Sequence, residues 1–191
     1  GYSAGVQVTT GDNNVIVGSL AGDAMTTGSA NTIVGKSAMS ADTDGVNTVA
    51  IGLGALQALT GSTRNVAIGA SAMETMDDTA DGLADCVAIG YEAFKGNATN
   101  TTTGANGTIA IGTSALTALT TGAKNTAVGY QALTTTDTGI ENTAVGYQAG
   151  TAVASGGNYN TLVGNLAGGS VSTGDHNTLI GKKASNTGSN D

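Results

Sequence analysis

The sequence predicts an all-β chain, a parallel β-solenoid of about eleven coils of 17 residues each. Three observations carry this reading. First, a glycine recurs at Gly1, Gly18, Gly35, Gly52, Gly69, Gly90, Gly112, Gly129, Gly146, Gly164 and Gly181, at spacings of 17, 17, 17, 17, 21, 22, 17, 17, 18 and 17 residues. Second, with that glycine as position zero, position +3 is alanine in every copy, from Ala4 to Ala184. Third, positions −3 and −1 are β-branched in all ten copies that carry them, from Val15 and Val17 to Thr178 and Ile180.

Each position has a physical reading. Side chains alternate along a strand, so −3 and −1 share one face and −2 lies on the other. Stacked copies make two columns of β-branched residues, which suit a pleated, buried surface. Position −2 is Ala, Ile or Leu and is apolar as well. A strand apolar on both faces is covered on both, so one face is expected to fill the core and the other to meet a neighbouring chain. The −3 and −1 columns are read here as the inward ones. The zero glycine marks a corner, as does a second glycine seven or eight residues earlier at Gly28, Gly45, Gly61, Gly122, Gly139 and Gly174. The +3 alanine marks a place where a larger side chain does not fit. Asn or Asp stands at most strand entrances, at Asn14, Asn31, Asn47, Asn65, Asp85, Asn125, Asn142, Asn160 and Asn177. Stacked asparagines can bond to one another along the axis.

A helix competes in stretches such as Ser114–Leu119, and a short helical turn after the zero glycine fits the sequence. Gly and β-branched residues on a 17-residue beat nevertheless break any continuous 3.6 period. The chain reads as one repeat domain, 1–191, with longer-loop coils at 70–111. The repeat is already under way at Gly1 and neither end carries a polar cap, so the sequence reads as a segment of a longer shaft.

Composition narrows the function classes. There is one Phe, no Trp and five Tyr, so the core must be thin and built from small and branched side chains. A net charge of −8 with six Lys and Arg argues against nucleic-acid binding, which requires clustered cations. No apolar run approaches the ~18 residues of a helical membrane span, so membrane insertion is not expected. Cys86 is the single cysteine, which excludes an intrachain disulfide framework.

The stretch Asn125–Leu133, N-T-A-V-G-Y-Q-A-L, recurs at Asn142–Gly150 with Gly for the last Leu. It resembles the repeat of phage tail fibres and related fibrous surface proteins. Val66–Gly69 and Ile109–Gly112 are similar to the head repeat of trimeric autotransporter adhesins. The resemblance covers almost the whole chain. It implies a left-handed β-roll, three chains side by side in a homotrimeric fibre, and attachment to a host or cell-surface receptor such as a glycan. It places the chain on a virion tail fibre or a cell surface. Autotransporter head repeats are shorter, so the tail-fibre form fits the 17-residue period better.

Candidate surface-binding residues fall in two groups. Tyr2, Tyr91, Tyr130 and Tyr147 share position +1, which suits either stacking on sugar rings or packing between coils. The two long spacings are insertions at one corner of the solenoid, where binding often resides. They carry Asp77 and Asp78 in one and Asn97 and Asn100 in the other. The acidic insertion lacks the spacing of a calcium loop and reads as a solvated loop. Asn97, Asn100 and Asn106 fit the N-glycosylation pattern, as chance predicts in a chain so rich in Asn and Thr.

Enzymatic chemistry and cofactors are not expected. His176 sits in a turn beside Asp175 without a positioned serine, and Cys86 reads as a buried thiol. The expectation is a structural, adhesive fibre segment. The alternative is a subunit of a head-to-tail extracellular filament or surface layer. An ice-binding solenoid is a further alternative, because Thr32, Thr126, Thr143, Thr161 and Thr178 share position −3. With that column read as inward, it cannot meet ice.

Overall fold

A computed structural model describes residues 1–75, 83–96, 104–153 and 156–185. It contains ten three-residue strands: β1 (Val15–Val17), β2 (Thr32–Val34), β3 (Val49–Ile51), β4 (Val66–Ile68), β5 (Val87–Ile89), β6 (Ile109–Ile111), β7 (Thr126–Val128), β8 (Thr143–Val145), β9 (Thr161–Val163) and β10 (Thr178–Ile180). They form one parallel sheet in sequence order, each residue paired with its equivalent in the next coil. The chain is a β-solenoid with one strand per coil, and the first and last strands lie roughly 43 Å apart at ~4.8 Å per step. No helix occurs among the described residues.

The strands are a small part of what joins the coils. Backbone N–H groups reach the neighbouring coil all the way round. In one direction Thr32 donates to the Thr48 carbonyl at 2.9 Å and Met73 to Ala93 at 3.1 Å. In the other, Gly52 donates to Val34 at 2.8 Å, Ser71 to Leu53 at 2.9 Å and Arg64 to Val46 at 3.0 Å. To keep these groups aimed along the axis outside the strand, three positions per coil adopt left-handed backbone. Positions −5, +2 and +4 have φ between 48° and 72° in nearly every described copy, for example Lys124 at 58°, Ser71 at 58° and Leu116 at 52°. This replaces the helical turn that the sequence admits after the zero glycine. Left-handed backbone costs a non-glycine residue about 1–2 kcal/mol, and most where the side chain is β-branched. None of the residues at these positions is Val, Ile or Thr, in a chain full of them.

The zero glycine is stricter. From Gly18 to Gly181 its φ lies between 126° and 140°, a region open only to glycine. A Cβ there would also strike the backbone of the equivalent glycine in the next coil, as Gly52 would strike the Gly69 carbonyl.

The strand faces are the reverse of the sequence expectation. Position −2 points inward and is fully buried from Ile33 to Leu162, whereas −3 and −1 are half-buried or exposed. The interior is too narrow for two β-branched columns. It takes one column of mostly alanine at −2, the +3 alanines, and larger side chains at +4 such as Met39, Leu56, Met73, Phe94, Leu116 and Leu133. Volumes trade across the cavity. Where −2 is Ile16, Ile33 or Leu162, position +4 of the same or adjacent coil is glycine, and a Cβ on Gly22 or Gly168 would meet the Ile33 or Leu162 side chain.

The asparagine ladder stands at position −4, at Asn14, Asn31, Asn65, Asn125, Asn142, Asn160 and Asn177. Asn47 and Asp85 lie one residue outside it, in left-handed backbone at −5, and Thr48 and Cys86 take the ladder position instead. Each buried asparagine joins two coils. The Asn142 Oδ1 accepts from the Asn160 N–H at 3.0 Å and from Asn160 Nδ2 at 3.0 Å, and its own Nδ2 donates to the Gly157 carbonyl at 2.8 Å. Asn31 does the same with the Thr48 N–H at 2.9 Å and the Gly45 carbonyl at 2.7 Å. At Thr108 the ladder fails, and its buried Oγ1 has no partner. Asp42 solves the same problem elsewhere. It occupies a core column shared with Met25 and Leu59, and its carboxylate accepts from the N–H groups of Asp44, Gly45, Gly61 and Ser62 at 3.2, 2.9, 3.1 and 3.0 Å, and from the Ser62 hydroxyl.

Two outcomes follow, both measured by chemical denaturation. Asn142→Ala strands a buried N–H and a buried carbonyl and should cost about 2–4 kcal/mol, whereas Thr108→Asn extends the ladder and should gain about 1 kcal/mol. At exposed Lys124, Lys124→Val should be about 1–2 kcal/mol less stable than Lys124→Gly, because only the backbone preference differs appreciably there.

Candidate functional site

The outward strand face is the most extensive ordered surface of the chain. Positions −3 and −1 of β1–β10 project from it in two straight columns. In β3–β6 both columns are Val or Ile: Val49 and Ile51, Val66 and Ile68, Val87 and Ile89, Ile109 and Ile111. In β7–β10 the −3 column is threonine and −1 stays Val or Ile. Val15, Val17, Ile89, Val145 and Ile180 are exposed, and the other apolar members are half-buried by their stacked neighbours. Nothing in the single chain covers this face.

Positions −5 and +1 border it at the strand entrance and exit. At −5 the side chains match along the axis. Arg64 grips Asp85 through two bonds, Nε to Oδ1 at 2.6 Å and Nη2 to Oδ2 at 2.9 Å, and Lys124 lies 3.5 Å from Glu141. The Arg64 hydrogen bond holds the Asp85 carboxyl below its ordinary value. Tyr159 and His176 continue the column as a stacked pair, 4.8 Å between centroids and 22° between planes. Sequence reasoning read His176 as a lone turn residue. The available signal was that both rings fall at −5 in consecutive coils.

At +1 the four predicted tyrosines are all exposed, but they do not form one platform. Tyr130 and Tyr147 stack on each other, 5.3 Å apart and 13° from parallel. Each ring therefore covers a face of the other, which makes this pair a contact between coils. Tyr91 and Tyr2 stand apart from that pair in distant coils. Asp77, Asp78, Asn97 and Asn100 lie outside the described residues.

Cys86 is buried at the ladder position, its Sγ 3.3 Å from the Ala84 carbonyl and 3.4 Å from that of Ala105. Burial pushes its pKa up to about 11, so it is a neutral thiol at physiological pH and not a nucleophile. Among the described residues no group of three or more His, Cys, Asp or Glu side chains is placed to hold a metal ion. None of them forms a helix long and apolar enough to cross a membrane.

Comparison with protein-family models, with curated proteins and with solved structures gives no match. The surface itself must therefore carry the functional reading.

The Cys86 geometry has a direct check. At pH 8 its reaction with Ellman's reagent should be about 100-fold slower in the folded protein than in urea, following the thiolate fraction.

Proposed function

We propose that this chain is a structural, adhesive fibre segment, in which copies pack their outward strand faces together and present the remaining surface for attachment to a host or cell surface. The observation that carries the reading is the bare face of Val, Ile and Thr running along all ten strands. Parallel sheets are normally covered on both faces, and contiguous apolar strips on a solvated surface mark association sites. The strip is about 43 Å long and, from −5 to +1, about 20 Å wide, or roughly 800 Å², one partner's share of a standard interface. A homotrimer, and a place on a tail fibre or surface adhesin, rest on the resemblance of the repeat to those families. The role is mechanical and adhesive rather than enzymatic.

The outward threonines favour a second reading. Because Thr126, Thr143, Thr161 and Thr178 face out in four consecutive coils, a threonine array meeting ice is sterically open, contrary to the sequence expectation.

Sedimentation equilibrium decides between these. The fibre reading expects a discrete species of three 18.4-kDa chains. Ile68→Asp with Ile111→Asp should reduce it to a monomer whose far-UV circular dichroism is unchanged. A wild-type monomer at tens of micromolar overturns the fibre reading. Thermal hysteresis from that monomer establishes the ice reading, and open-ended growth establishes the filament.

A further inference from the structure

Away from the strand face, a groove of about 650 Å³ runs along the axis over the coils that contain β1–β5. Its wall is position +5. The adjoining +6 N–H groups donate to the +5 carbonyl of the next coil, as Ala41 does to Gln57 at 3.1 Å and Ala58 to Glu74 at 3.0 Å. That ladder sets one side chain per coil into the groove: Asp23, Ser40, Gln57, Glu74 and Lys95. In later coils the same column is threonine, and Thr117 and Thr134 spend their hydroxyls on the Ser114 carbonyl, both at 2.7 Å.

The groove side chains are not spent in this way. The Asp23 Oδ1 is buried and accepts no hydrogen bond, a costly state that a bound donor relieves. At position +2 most copies carry a side chain, but Gly54 leaves a hollow. An atom built at its Cβ position lies 3.1 Å from Gln57 Oε1 and 3.3 Å from Glu74 Oε1, so two acceptors converge on one open point. The cation of the groove, Lys95, is held by Glu92 at 2.8 Å and stands farther from Glu74, at 3.5 Å. The site thus offers acceptors and net negative charge, with Leu20 as its one large apolar side chain. It fits an extended polar chain that donates hydrogen bonds, and it lacks the deep apolar pocket that a peptide anchor needs. The axial step of ~4.8 Å is close to the length of a pyranose unit.

We infer that this groove binds a linear saccharide bearing free hydroxyl or amine groups, with Asp23, Gln57 and Glu74 as acceptors and the Gly54 hollow seating one donor. The inference deepens the attachment reading by naming a ligand class and its site.

Isothermal titration with glucosamine hexamer, cellohexaose and oligogalacturonate tests it on the whole chain. Glucosamine hexamer should bind, cellohexaose more weakly, and oligogalacturonate not at all. Gly54→Ser fills the hollow with a residue that the same position already carries at Ser37 and Ser71, so the fold should persist. It and Glu74→Ala should each weaken binding at least tenfold, while Thr151→Ala, in the same column outside the groove, should not. Thermal melts of each variant report folding. Absence of binding by either non-acidic hexamer, equal binding of the uronate, insensitivity to both groove variants, or displacement by calcium chloride alone overturns the inference. Sedimentation of the same samples separates the two proposals. A trimer that binds no sugar sinks the groove alone, and a monomer that binds sugar sinks the fibre alone.

Discussion

Everything in this fold depends on aiming backbone hydrogen bonds along one axis. A coil of 17 residues that contains a single three-residue strand must still satisfy the N–H and C=O groups of its turns. The interior is dry and too thin for compensating water, so the partners have to come from the coils above and below. Left-handed residues at −5, +2 and +4 turn the peptide planes until their N–H groups point along the axis. Where the backbone alone cannot close the accounts, at the strand entrance, a buried asparagine supplies one acceptor and one donor in the required directions. The neutral amide suits this task, since it offers both without the desolvation penalty of a charge.

That constraint explains which residues the sequence avoids as well as those it uses. β-Branched side chains are abundant but confined to positions with ordinary backbone, chiefly −3 and −1. Glycine is indispensable only at zero, where consecutive coils touch backbone to backbone. Alanine at +3 and mostly at −2 follows from the same close approach, and bulk is admitted at +4, where Met39, Phe94 or Leu133 fill the space that alanine leaves. Bulky β-branched residues must then stand outside. The association-prone face is therefore a consequence of the thin core.

This also explains how much was legible in the sequence. The period, the strand positions, the corner glycine and the +3 alanine were open to reading because each repeats with the coil. The inside and outside of the strand were not. Alternation separates two faces but does not label them when both are apolar, and β-branched columns look like a core until the width of the coil is known. The ladder was legible in kind but misplaced at Asn47 and Asp85, which differ from ladder residues by one position and a change in φ. The groove was hardly legible at all. Asp23, Ser40, Gln57, Glu74 and Lys95 share a position but no chemistry, and only the structure shows that Gly54 opens a hollow between two of them.

The irregularities of the stack fall on one half. The ladder is interrupted at Thr48, Cys86 and Thr108, the two longer coils lie between Gly69 and Gly112, and the groove covers the coils of β1–β5. The C-terminal coils, by contrast, keep an unbroken run of four asparagines, an outward threonine column, and side-chain pairs matched along the axis at Tyr130–Tyr147 and Tyr159–His176. A solenoid gains stability coil by coil from nearest-neighbour terms, so a regular half can hold a less regular one in register. Variation in the N-terminal half is then tolerated as long as the axis-directed bonds survive it. Position +5 meets that condition, because its carbonyl serves the ladder while its side chain is free to differ. A groove with a different side chain on each rung is the form of recognition surface that such a scaffold can carry without loss of its fold.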